Sequence, residues 1–156
     1  MKNSIGQYLW LIPALPLLAA GLSALAKQRH RAFAAALAIG SMAGSLVLSC
    51  MAFGSALRRS GGGEITRQVF NFDWFRFGDQ VVKFGWVLDP LTAVMLVMVC
   101  FVGLLIFIYS VGYMSHDENF TRFFCFLALF AAAMLGVVIA NNLLVLFIFW
   151  EFVGLT

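Results

Sequence analysis

Four uncharged apolar stretches, each long enough to cross a bilayer, constrain this chain more than any other feature. A helix crosses roughly 30 Å of hydrocarbon in about 20 residues. Residues 8–26, 33–57, 91–113 and 123–140 contain no Asp, Glu, Lys or Arg, and a fifth apolar stretch opens at Asn142 or Leu143. Composition agrees: 63% of residues are hydrophobic and 11% charged, with a mean hydropathy of +0.97. A soluble domain carries about a quarter charged residues, and a chain of 156 residues leaves much of its surface exposed. A soluble globular enzyme, a disordered tail and a disulfide-built secreted module are therefore excluded. The predicted fold is an all-α membrane protein with four transmembrane helices, a truncated fifth, and a short β-hairpin between helices two and three.

Local signals place the boundaries. Pro13 and Pro16 fall near the start of the first stretch, where a missing N–H is tolerated or a kink is absorbed by neighbours. The second is rich in Ala, Gly and Ser, which suits close helix–helix contact. Asp89-Pro90 before the third is an acidic N-cap followed by proline at the first helical position. From Leu143 to Thr156 a helix would extend only about 21 Å, short of the hydrocarbon thickness. The sequence thus reads as the start, or a fragment, of a longer protein. At the N-terminus, Lys2, the apolar stretch and Ala24-Leu25-Ala26 resemble a cleaved signal. Lys27, Arg29 and Arg31 follow at once, however, and such a cluster resists translocation, so a retained anchor is expected.

Three segments follow: residues 1–57 with the first two helices, 58–88 as an extramembrane linker and hairpin, and 89–156 with the remaining helices. Ser60-Gly61-Gly62-Gly63 reads as a flexible linker. Residues 69–77 and 81–86 are aromatic-rich strands joined through Gly78-Asp79, a hairpin signal. A lone hairpin is weak in water, so its aromatic face should rest on the membrane surface or a neighbour.

The ten basic residues give a net charge of +3, but they lie between or at the edges of the apolar stretches. They form no phosphate-tracking face, and no nucleic-acid partner is expected. The dense loop Lys27-Gln28-Arg29-His30-Arg31 favours the cytoplasm, with the N-terminus and hairpin outside. Cys50, Cys100 and Cys125 each sit inside an apolar run with no close pair, so they read as small buried hydrophobes. Asn141-Asn142 reads as the turn between helices four and five, and Tyr109 and Tyr113 as an interfacial belt.

Of seven acidic residues, Glu151 alone falls inside an apolar stretch. Eight residues beyond Leu143, it lies about 12 Å along a helix, near mid-membrane if that helix continues. An ionised carboxylate there costs several kcal/mol unless it is paired or hydrated. A carboxyl balanced between those conditions can exchange a proton with nearby water, as a relay requires. None of the ten basic residues lies well inside a helix, so a counter-charge would come from later in the chain or from another subunit.

A family resemblance now becomes usable. Leu88-Asp89-Pro90-Leu91-Thr92, Met95-Leu96, the run from Tyr109-Ser110-Val111-Gly112-Tyr113-Met114 to Asp117, Arg122-Phe123-Phe124 and Asn142-Leu143-Leu144 resemble subunit L of bacterial NADH-quinone oxidoreductase, the counterpart of mitochondrial chain 5. The hexapeptide Trp150-Glu151-Phe152-Val153-Gly154-Leu155 is similar to that family's Trp-Glu-x-Val-Gly-Leu signature. Residues 88–155 match densely; residues 1–87 match mainly in layout. One departure is Asn141, where many relatives carry Asp. The large subunit of multi-subunit cation/proton antiporters shares much of this region, and a structural membrane fragment without transport is a third reading. The resemblance implies a proton-translocating module of complex I in the bacterial inner (cytoplasmic) membrane, with the other membrane-arm subunits, the lipid bilayer and protons as partners. It also implies that Glu151 matches a relay carboxylate that pairs with a lysine on a later helix. Flavin, iron–sulfur clusters and the quinone site lie on other subunits of that complex, so no cofactor is expected on this chain.

Overall fold

A computed structural model of the chain describes residues 5–25, 31–60 and 67–156. Lys2, Lys27, Arg29, His30 and Gly61-Gly62-Gly63, on which part of the topology and linker reading rests, lie outside these residues. A 3-10 helix, Ile5–Tyr8, leads into α1, Leu11–Leu25; then come α2, Arg31–Ser60, a two-stranded hairpin of β1, Gln68–Phe77, and β2, Gln80–Leu88, and α3, Pro90–Tyr113, α4, Phe120–Ile139, and α5, Leu143–Leu155. Among the described residues four helical spans are long and apolar enough to cross a membrane, and α5 is a shorter apolar helix. The chain is a multi-pass membrane protein with the predicted hairpin in the predicted place.

The helices begin where their chemistry allows. Asp89 caps α3 by accepting from the Thr92 backbone N–H at 2.7 Å, with Pro90 leading the first turn. Helix α4 starts at Phe120, earlier than hydropathy suggested. Arg122 reads as a flank in the sequence but sits in the first turn with its side chain exposed. Helix α2 continues through Ser60, three residues beyond the apolar stretch that ends at Leu57.

Helix α1 packs between α2 and α4, α3 packs on α2 and α4, and α5 packs chiefly along α4. The shared core is built largely from small residues, Ala34, Ala38, Ala93 and Ala128, with Met42, Leu96, Phe107 and Phe124 between them. Small side chains let backbones approach, which matters where lipid supplies no hydrophobic drive for helix association. Polar atoms stitch the same seams. Ser45 Oγ donates to the Ile12 carbonyl at 2.8 Å, Ser49 Oγ lies 3.3 Å from Cys100 Sγ, and Cys125 Sγ donates to the Ala20 carbonyl at 3.3 Å. The cysteines are thus more varied than small buried hydrophobes: Cys100 and Cys125 form interhelical contacts, while Cys50 is exposed.

At one end of the bundle Arg31 ties α2 to the loop between α3 and α4. Its guanidinium donates to the Ser115 carbonyl at 2.9 Å and to the Asp117 carbonyl, and it lies 5.6 Å from the Phe120 ring centroid. Replacing Arg31 with alanine is expected to loosen residues 114–119 by about 1–2 kcal/mol, read as faster amide hydrogen exchange confined to that loop. Unchanged protection there would show that the loop holds itself.

Candidate functional site

The site is built where the hairpin meets the other end of the bundle. Gly78, with φ at +59°, opens the two-residue turn, a conformation that favours glycine. In the antiparallel register Phe70 opposes Trp86, Asn71 opposes Gly85 and Phe72 opposes Phe84, with a bulge between Asp73 and Phe75. Phe72 and Phe84 meet at a tilt with ring centroids 5.4 Å apart, and Phe70 and Trp86 stack at 6.5 Å. Part of the aromatic face, Phe84 and Trp86, rests on a neighbour, one of the two supports anticipated, while Phe72 and Trp74 stay exposed. Trp86 Nε1 donates to the Gly6 carbonyl at 2.7 Å, and Phe84 meets Phe149 of α5 with ring centroids 6.5 Å apart.

The junction of α4 and α5 is more than a turn. Ala140 forms a backbone bridge with Trp86. Asn141 Nδ2 donates to Asn71 Oδ1. Asn142 caps α5, its Oδ1 accepting from the Val145 N–H at 2.8 Å, while its Nδ2 donates to the Lys83 carbonyl at 2.8 Å. The cap was readable, since Asn before an apolar run is a start signal. The hairpin contacts were not. Gly85 was the available clue, because glycine inside a strand marks close backbone approach.

Helix α5 meets α4 through Gly136, where an added Cβ would clash with the edge of the Phe149 ring. Val145 is buried, and Ile148, Phe149 and Val153 are half-buried. At 100° per residue Glu151 lies well away from that face, on the exposed side shared with Leu144 and Phe147. Among the described residues no hydrogen bond or ion pair reaches its carboxylate, and no group of three or more His, Cys, Asp or Glu could hold a metal. A cation pairing with Glu151 would approach from the side of α5 opposite α4.

The family described as NADH-Ubiquinone oxidoreductase (complex I), chain 5 N-terminus matches residues 74–124, from the middle of β1 into α4 and short of Glu151. The chain is 38% identical to NAD(P)H-quinone oxidoreductase subunit 5 of the Zygnema circumcarinatum chloroplast, over 98% of this chain and 22% of that protein. It is 38% identical to NAD(P)H-quinone oxidoreductase chain 5 of Picosynechococcus sp., over 96% of this chain and 23% of that protein. It therefore spans between about a fifth and a quarter of these relatives' length. Among solved structures, a chain of the Mrp complex from Dietzia sp. is similar over 95% of this chain and 15% of that chain, with a TM-score of 0.62 and 27% identity.

Proposed function

This chain belongs to the complex I chain 5 family, and from that premise we propose that it forms the first helices of a proton-translocating membrane subunit in which Glu151 is a relay carboxylate. One observation carries the reading. A chain aligned nearly end to end with chain 5 relatives presents its sole acidic residue within an apolar helix on the face of α5 that α4 leaves open. The position suits a proton site whose pairing switches, because a partner can approach and withdraw without disturbing the α4–α5 seam.

In this reading residues 1–57 and 58–88 form the opening helix pair and the extramembrane hairpin segment, and residues 89–156 begin the translocating domain. The subunit works with other subunits of the complex, in contact with lipid and carrying protons. It lies in the bacterial inner membrane with its N-terminus and hairpin outside, on the strength of the basic cluster Lys27, Arg29 and Arg31.

The likeness to the Mrp complex favours a second reading, the large subunit of a multi-subunit cation/proton antiporter. Reconstitution of the assembled complex with the full-length subunit into sealed vesicles separates the two. Proton uptake driven by NAD(P)H oxidation and quinone reduction is the expected result. Sodium–proton exchange indifferent to quinone reduction would overturn it in favour of the antiporter.

A further inference from the structure

The extramembrane hairpin grips α5 at two levels. At the top, the Asn142 side-chain amide is used at both ends, capping α5 through Val145 and holding β2 through the Lys83 carbonyl, each at 2.8 Å. Asn141 and Ala140 reinforce that grip through Asn71 and Trp86. Lower down, Phe84 of β2 touches Phe149, two residues before Glu151 in the sequence. The rest of the seam is incompletely filled. An apolar crevice of about 220 Å3 runs between α1, α4, α5 and β2, bounded by Trp10, Trp86, Val145, Phe149 and Phe152. Close packing therefore does not by itself fix the rotation of α5, because one flank of the helix borders open space.

We propose that Asn142 and Phe84 are positioning residues for Glu151: the hairpin, seated outside the apolar spans, sets the rotation and depth of α5 and so the place of the carboxylate. This rests on the relay reading above. A carboxylate about 6 Å from a helix axis moves roughly 3 Å when the helix turns by about 30°. That is the length of one hydrogen bond, enough to make or break contact with a water or a partner. A disturbance of the hairpin is thereby transmitted to the proton site along one short helix.

The test uses the assembled complex with the full-length subunit. Asn142→Ser keeps an N-cap oxygen for Val145 but cannot reach the Lys83 carbonyl; Phe84→Ala removes the lower contact, and Phe84→Tyr keeps it. Infrared difference spectroscopy reads the carboxyl stretch of Glu151, assigned as the band lost in Glu151→Gln. Asn142→Ser and Phe84→Ala are expected to shift that band and to lower proton translocation on the order of tenfold, while Phe84→Tyr leaves both in place. Phe84→Ala supplies the answer if Asn142→Ser fails to assemble. A band at its original frequency in both variants, or in Phe84→Ala alone, overturns the positioning role. Undiminished translocation in Glu151→Gln overturns the relay reading separately, because the band shift is measured independently of transport.

Discussion

Replacing Glu151 with glutamine is expected to stop proton movement through this subunit, a loss on the order of 10²-fold or more in its share of transport. The amide matches the carboxyl in size and hydrogen-bonds as donor and acceptor, but it cannot release and recapture a proton. General acid–base groups contribute about 10²–10⁴-fold where they act, and a relay lacking its site has no substitute at that depth. Glu151 is exposed on α5 and without a hydrogen bond among the described residues, so the exchange should leave folding intact. Proton uptake into sealed vesicles, at equal amounts of assembled complex, measures the loss. Transport at the original rate would remove Glu151 from the path.

The second large effect is expected at Gly85. A Cβ built there would overlap the Phe70 carbonyl oxygen and stand 2.6 Å from Asn71 Oδ1 and 2.8 Å from Asn141 Nδ2. The two side-chain amides can swing aside, but only by abandoning the bond between Asn71 and Asn141. The Phe70 carbonyl belongs to the strand backbone and cannot move without opening the ladder. Overpacking of this kind costs about 1–3 kcal/mol, and the lost hydrogen bond adds about 1 kcal/mol. Gly85→Ala should therefore raise the opening of the hairpin on the order of 10²-fold. Amide hydrogen exchange across β1 and β2 reads this directly, with α2 and α3 as internal references. Original protection of the hairpin in Gly85→Ala would mean that the strands can separate at this point without penalty.

Much of the architecture was legible in the residues. Uncharged length located the helices, because in a bilayer every backbone polar group needs an internal partner and a helix supplies them all. Gly78-Asp79 between alternating aromatic strands located the hairpin, because the turn requires a residue tolerant of positive φ. What stayed hidden depends on contacts between distant parts of the chain. The start of α4 is masked in the sequence because Arg122 looks like a flank, yet a long side chain reaches outward from a first turn while Phe120 and Thr121 stay buried. Asn141 and Asn142 looked like turn formers; their bonds to Asn71 and Lys83 join positions that no local pattern connects. Glu151 stands out by charge alone, but the side of α5 it takes depends on distant contacts, of Phe149 with Gly136 on α4 and with Phe84 on the hairpin.

The knot made by Arg31 has a consequence for how its loop can vary. Both acceptors are main-chain oxygens, of Ser115 and Asp117. Every amino acid supplies such an oxygen, so the fork itself asks nothing of the side chains at these two places, which serve the loop through Gly112 and Asn119 instead. Chain length enjoys no such freedom: inserting or deleting a single residue between the two carbonyls would carry one of them out of reach, however conservative the letters on either side.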